Sequence, residues 1–409
     1  MNGRLERILV LSIWDEIWSL GEGCGVPDEI HFINRLTERG VKIDFLIPEP
    51  LHGGVPYRRD GLEYHFYPNI FRSYSHLPGP ARRILQSARF STTTIPVLRK
   101  LVEKTGPDLI LGYSSHPMKA VSRVGHEKKI PTAAKLFGVM YLNHRHLPWW
   151  KYWWYNYEQI LSLRNDIGHY LVLNDGTQGD KALASYGVDP AKITFLPNGM
   201  NMGWSDLDVD VNEARKEFGL PEDKTLLVTF SRLVKSKRVD LFLDAAAAID
   251  PSLLEGTAIV IGGDGPDRRS LERKAEDLGL SSRVYFPGPV KYDLVPRLLK
   301  SCDIFVGTNE LTNMSMPPCE ALLCGVPVVA FDIAGTSEAV IDGRTGLLAP
   351  AGDIPALTSA IETLLKDPEQ RKRLGDNARS FAVENFMSWE DRVLNELKLF
   401  ESLVTIDDK

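Results

Sequence analysis

Arg232 and Lys237 stand in the run Ser231-Arg232-Leu233-Val234-Lys235-Ser236-Lys237, directly after an apolar stretch at residues 226–230 that reads as a strand. Cations at the carboxyl end of a parallel strand sit where such sheets take their ligands. A guanidinium offers a fork to a diphosphate and an ammonium a point charge, so the pair suits a diphosphate leaving group. Without a ligand the same run is a solvated basic turn. A second group lies between Asn309 and Gly325, where Pro317 suits the first turn of a helix and Glu320 falls in that turn. A carboxylate there can accept hydrogen bonds from a ribose diol; the plainer reading is a favourable charge at a helix N-terminus.

A third group is the glycine loop Gly21-Glu22-Gly23-Cys24-Gly25, between a first strand and a helix that begins after Pro27. Glycines let a backbone approach a phosphate or sugar closely, and the helix N-terminus favours negative charge. A nicotinamide-dinucleotide enzyme is the competitor, because Asp44 follows at about the distance of a ribose contact. Three details oppose it: the loop starts seven residues after the strand, the last glycine of GxGxxG is missing, and Asp44 falls inside a strand. His116 follows the strand at 109–112 and is either a cleft residue or a structural hydrogen-bonder. Asp206-Leu207-Asp208-Val209-Asp210 has no strand before it, so it reads as an exposed acidic loop and not a metal-holding DxD. His144-Arg145-His146 lacks further ligands nearby. No metal site is expected.

These groups need a scaffold that places them at strand ends. Short β-branched runs occur at 8–13, 43–47, 109–112, 132–137, 169–173 and 193–196, then at 226–230, 258–261, 284–286, 304–306 and 328–331. Amphipathic stretches between them predict helices at 28–38, 97–103, 176–186, 239–249, 266–278, 293–299 and 317–323. Apolar runs without alternation belong to strands buried on both faces, so the fold class is α/β with doubly wound parallel sheets. Pro197-Asn198-Gly199 is a strong turn signal, and the polar, acidic stretch 200–211 reads as a linker. Two Rossmann-like domains at 1–200 and 201–385 follow, with a helix at 368–384 and a last helix over 386–409 crossing back to the first.

The chain has 409 residues, 43% hydrophobic and 25% charged, which excludes disorder and a disulfide scaffold. The 48 Lys and Arg against 54 Asp and Glu leave a net −6, so nucleic acid is not favoured as a partner. Four cysteines without metal spacing and no long apolar run suggest a reduced, cytoplasmic protein. The balance is uneven: residues 1–200 hold 24 basic and 19 acidic side chains, the remainder 24 and 35. No acidic residue occurs from Tyr64 to Val102, where Arg72, Arg82, Arg83, Arg89, Arg99 and Lys100 all fall. That stretch is either a solvated basic face or a surface for an anionic acceptor or membrane leaflet. Trp149, Trp150, Trp153 and Trp154, with Tyr152, Tyr155 and Tyr157, would surround a helix. They read as a capped core helix, a sugar-stacking wall or a patch at a membrane interface.

Five blocks in order resemble one family: Pro197-Asn198-Gly199, Arg232 to Lys237, Gly262-Gly263-Asp264-Gly265-Pro266, Val284-Tyr285-Phe286-Pro287-Gly288, and Glu320-Ala321 to Gly325-Val326-Pro327-Val328-Val329. Together they are similar to the GT-B retaining glycosyltransferases of family 4. The resemblance implies a nucleotide-diphosphate sugar bound mainly by the second domain, an acceptor bound by the first, and no cofactor beyond that co-substrate. It places Arg232 and Lys237 on the diphosphate and Glu320 on the ribose. It puts Asp264, Phe286 and Pro287 along the donor, and Asn313, Met314, Ser315 and Met316 near the sugar and phosphates. Gly23 and Gly25 would close from the other lobe, with His116 and Gly138 on the acceptor side. The sequence departs from the pattern where Thr312 replaces a usual Glu, Asn313 a Gly and Phe137 a His, and where Pro317 and Pro318 remove two backbone donors. A nucleotide-sugar epimerase or hydrolase, or a non-catalytic sugar-binding protein, would share the fold.

Overall fold

The computed structural model describes residues 5–15, 17, 27–50, 56–70, 79–137, 139, 147–173, 179–309, 316–333 and 335–406. The chain forms two compact units, one of Met1–Gly199 with Trp389–Lys409, the other of Met200–Ser388.

The first unit holds seven parallel strands: β1 (Arg7–Leu11), β2 (Lys42–Pro48), β3 (Leu62–Tyr67), β4 (Leu109–Tyr113), β5 (Thr132–Leu136), β6 (His169–Leu173) and β7 (Ile193–Leu196). Their order is β3-β2-β1-β4-β5-β6-β7. Side chains of β1 alternate between two cores, Leu9 and Leu11 on one face and Ile8 and Val10 on the other. Both faces are covered by helices, which is why these strands read as unbroken apolar runs. The edge strand β3 escapes the periodicity because Glu63 and His65 interrupt it and much of it is only half-covered. The helix Gly79–Thr105 runs 27 residues through Pro96, far beyond the 97–103 expected. Pro96 removes one helical donor, on a side where Thr92 and Pro96 both face solvent and water can replace it.

The second unit holds six parallel strands: β9 (Thr225–Phe230), β10 (Thr257–Gly262), β11 (Val284–Gly288), β12 (Ile304–Gly307), β13 (Val328–Asp332) and β14 (Gly346–Pro350). The order is β11-β10-β9-β12-β13-β14. The short strands β8 (Gly199–Met200) and β15 (Met387–Ser388) stand where the chain passes between the units. The edge strand β14 was not expected, since it is short and bounded by Gly346 and Pro350.

The stretch 200–211 is no free linker. Met200 and Trp204 are buried in the second unit's core, and Lys300 Nζ donates to the Ser205 and Leu207 carbonyls at 3.0 and 2.6 Å. Two buried apolar anchors outweigh the polar composition between them. Two of the three acidic residues there are structural: Asp206 pairs with Arg379 at 2.7 Å, and Asp210 caps the helix Val211–Glu217 through the Asn212 and Glu213 N–H groups.

The last helix, Trp389–Ile406, belongs to the first unit and packs on the helix Pro27–Glu38. Phe400 meets Phe32 edge-on at 6.2 Å, Trp389 stacks on His31 at 5.1 Å, and Arg35 pairs with Glu390 at 2.9 Å. Between them lies a buried ionic cluster. Lys135 Nζ, on β5, stands 2.7 Å from Glu29 and 3.3 Å from Glu396, while Arg392 donates to Glu396 at 2.9 Å. All four side chains are buried.

Candidate functional site

Each sheet reverses its strand order once, and Arg232, Lys237, Glu320 and His116 lie on the connections that leave these reversals. In the second unit β9 lies between β10 and β12, so the connections after β9 and β12 diverge. A crevice at the carboxyl ends of two such strands is the expected ligand position in a doubly wound sheet. Arg232 and Lys237 follow β9, and Glu320 lies on the helix Met316–Leu323 that follows β12. The two strands are paired directly, Ile304 opposite Leu227 and Phe305 opposite Val228. In the first unit the reversal lies between β1 and β4. His116 follows β4, and the loop containing Gly23 and Gly25 follows β1 but lies outside the described residues.

The Arg232 loop is held by the glycines of the next strand connection. Gly263 has φ +110°, and a Cβ there would overlap the Ser231 carbonyl oxygen; a Cβ on Gly265 would overlap the Leu233 carbonyl oxygen. That approach lets Ser231 N–H donate to Gly262 O at 3.2 Å, Leu233 N–H to Asp264 O at 2.9 Å, and Asp267 N–H to Leu233 O at 3.1 Å. These glycines therefore press one loop onto another. Asp264 is exposed and turns its carboxylate to the Gly265 N–H at 2.8 Å. The loop ends in a 3₁₀ turn at Lys235–Lys237, and Arg238, with φ +48°, redirects the chain into the helix Val239–Ala247. Thr308 Oγ1, just past β12, reaches the Lys237 carbonyl at 3.4 Å.

Charge is left uncompensated here. No carboxylate among the described residues pairs with the side chain of Arg232 or Lys237. Arg232 is exposed and Lys237 half-buried. Desolvation lowers the Lys237 ammonium pKa. Glu320 is buried without a hydrogen-bond partner among the described residues, and desolvation pushes its carboxyl up to about 8. Unpaired ionisable groups of both signs on one crevice cost stability and suggest a ligand carrying both phosphate and hydroxyl groups.

The other candidates are placed as follows. Phe286 packs on the core beneath the helix side of the sheet, with the Arg268 guanidinium 5.8 Å from its ring, and Pro287 is half-exposed beside it. Met316 packs against the opposite core. His116 Nε2 lies 3.6 Å from Glu158, which also accepts from the Tyr157 hydroxyl at 2.9 Å. Gly138, Asn313, Met314 and Ser315 lie outside the described residues, as does Thr312.

Asp44 does not serve a dinucleotide. It is buried within β2, 3.3 Å from Arg7 Nε and 2.8 Å from His65 Nε2. Sequence reasoning missed Arg268, Thr308 and the Glu29–Lys135–Glu396–Arg392 cluster. Its one signal was Lys135 itself, a charge inside an otherwise apolar strand.

Comparison with known proteins bears on the family and the fold. The family model "Glycosyl transferases group 1" matches residues 210–381, and "Glycosyltransferase Family 4" matches residues 30–203. A GDP-mannose-dependent alpha-(1-6)-phosphatidylinositol monomannoside mannosyltransferase of Mycolicibacterium smegmatis is 31% identical over 210 residues, covering 49% of this chain and 54% of that protein. An N-acetyl-alpha-D-glucosaminyl L-malate synthase of Bacillus anthracis is 30% identical over 200 residues, 49% of this chain and 51% of that one. The chain thus spans about half the length of the curated relatives it matches. Among solved structures, sucrose-phosphate synthase from Thermosynechococcus elongatus superposes with a TM-score of 0.75 at 20% identity, over 98% of this chain and 100% of that one. Anabaena HepE in complex with UDP superposes at 0.71 and 18% identity, over 97% and 100%. With two family models that between them cover both units, the chain belongs to the family 4 (group 1) glycosyltransferases and has their GT-B fold.

Proposed function

We propose that the protein is a retaining hexosyltransferase that moves a sugar from a UDP- or GDP-sugar to a hydroxyl of a glycan, lipid-linked or small-molecule acceptor. It does so without a metal ion or resident cofactor, in the cytoplasm or peripherally at its membrane face. The carrying observation is the set of uncompensated groups at the β9/β12 reversal: Arg232 and Lys237 after one strand, Glu320 after the next. Support comes from a relative described as GDP-mannose-dependent and from a structural neighbour described in complex with UDP.

In this reading the anomeric carbon exchanges its bond to the β-phosphate oxygen for a bond to the acceptor oxygen. The acceptor proton leaves with the nucleoside diphosphate. Negative charge grows on the departing diphosphate, and two cations already in place stabilise it without reorganisation. A half-buried ammonium does more there than one in water, because less solvent screens it. Glu320 accepts hydrogen bonds from the ribose hydroxyls, which gives its buried carboxylate donors that it lacks among the described residues. His116, Gly138 and the Gly23–Gly25 loop would meet the acceptor and close over the diphosphate.

Thermal shift against UDP, GDP, ADP, CMP and NAD, with and without magnesium, tests the donor site. A ligand at ~100 times its Kd adds ~2.7 kcal/mol, enough to read. A metal-independent shift with UDP or GDP, lost in Arg232→Ala, is the expected result; none with either overturns the reading. Donor turnover that needs no acceptor would assign an epimerase or hydrolase instead.

A further inference from the structure

The helix Trp149–Ser162 of the first unit exposes more large apolar side chains than it buries. Its buried face is Asn156, Tyr157 and Ile160. At 100° per residue, Trp150, Trp154 and Leu161 fall within about 40° of one another on a second stripe. Trp149 is 81% exposed, Trp150 54%, Trp153 47% and Tyr155 53%. The helix Gly79–Thr105 touches this one and exposes Ile84 and Leu85 in turn. Single exposed apolar residues are ordinary, whereas a cluster of large aromatics is the mark of an interaction surface.

Charge selects the partner. The only acid on the aromatic helix, Glu158, is engaged by His116 and the Tyr157 hydroxyl. The only acid on the helix Gly79–Thr105, Glu103, lies 2.6 Å from Lys128 Nζ. Against these stand Arg89, Lys100 and Lys151, all exposed, with Lys151 Nζ 5.2 Å above the Trp150 ring. Indoles and phenols favour the water–hydrocarbon boundary, and Lys and Arg favour anionic headgroups. A second copy of this cationic face would repel it. A soluble glycan would need polar groups beside the rings, where this stripe has Leu161.

We infer that the face built by the helices Trp149–Ser162 and Gly79–Thr105 docks on the headgroup region of an anionic bilayer, indoles inserted and cations on the lipid phosphates. The inference goes beyond the transferase reading and does not rest on the donor site. No helix among the described residues is long and apolar enough to cross the membrane, so the contact is peripheral.

The test is co-sedimentation of the full chain with vesicles of phosphatidylcholine alone or with one third phosphatidylglycerol, with tryptophan emission read in parallel. Binding at least ~10-fold stronger to the anionic vesicles, with emission moving to shorter wavelength, is expected. Trp149→Ala/Trp150→Ala should weaken it at least ~10-fold while the melting temperature and the UDP or GDP shift stay unchanged. No binding, equal binding to neutral vesicles, or an unaffected double variant overturns the inference. Loss of self-association in the variant, without vesicle binding, overturns it in favour of a second copy. Vesicle binding without any nucleotide shift sustains it and fails the transferase reading alone.

Discussion

Lys135 and Glu396 approach to 3.3 Å with both side chains fully buried, although 261 positions separate them in sequence. Lys135 comes from β5 and Glu396 from the last helix, so the pair ties the end of the chain to the middle of the first sheet. Glu29 completes the contact from the helix that follows the glycine loop. Lys135 Nζ also lies 4.8 Å from the Phe32 ring centre and 5.4 Å from that of Tyr113.

Breaking that cluster on one side leaves a buried charge without its partner. Lys135→Met should lower unfolding free energy by about 3–5 kcal/mol in chemical denaturation of the full chain. Lys135→Met combined with Glu29→Gln should recover part of that loss, because the surplus negative charge is gone and the Arg392–Glu396 pair is left intact. A double variant no more stable than the single one would mean the cluster is held by packing alone.

Arg232→Ala and Lys237→Ala each remove a cation that meets no carboxylate among the described residues. Each should lower kcat/KM at least ~10-fold, about 1.4 kcal/mol of transition-state stabilisation, with stability nearly unchanged. Lys237→Ala should even be slightly stabilising in the free protein, since it removes a desolvated ammonium. Steady-state kinetics beside a melting curve reads both.

Glu320 gives the free protein a signature in pH. Its folded pKa is raised to about 8 from the ordinary 4.5, so the folded state holds the proton more tightly than the unfolded chain. Its contribution to stability is complete below the unfolded value. It is lost as pH rises towards about 8, at up to ~1.4 kcal/mol per pH unit. Glu320→Gln should flatten that fall between pH 5 and 8, read from denaturation curves at about half-unit steps. A saturating nucleotide whose ribose donates to the carboxylate should flatten it too in the native protein.

Gly263→Ala and Gly265→Ala test the interlocked loops. Each adds a Cβ that overlaps a backbone oxygen, of Ser231 and Leu233 respectively, and backbone cannot yield as a side chain tip can. About 2–3 kcal/mol of destabilisation and weakened nucleotide binding are expected for each. Gly256→Ala is the control, because its nearest neighbour atom is 3.9 Å away and its φ is ordinary. Comparable losses at all three positions would remove the packing explanation.

All eleven expected strands match the observed ones to within two residues at either end, with β1 expected two residues long at its close and β11 two residues short. Buried parallel strands leave their record in composition, since both faces must be apolar. Four strands were missed: β3 and β14 are edge strands, half-covered, where that requirement relaxes, and β8 and β15 are two-residue strands too short to leave a pattern. Arg232, Lys237 and Glu320 were legible for a related reason. Each follows a recognisable strand at short range, so chain order alone sets it at the carboxyl end of the sheet.

What the sequence determined by itself was local: apolar period, glycine and proline turns, and the cations and carboxylate that follow β9 and β12. What only the tertiary structure decided was long-range. The buried Lys135–Glu396 pair, the anchoring of Met200 and Trp204, the Gly263 contact with Ser231 and the uncovered face of the Trp149–Ser162 helix all join or expose residues that periodicity treats alike. A side chain's period says which face it takes, whereas desolvation and charge compensation depend on what the rest of the chain brings to that face.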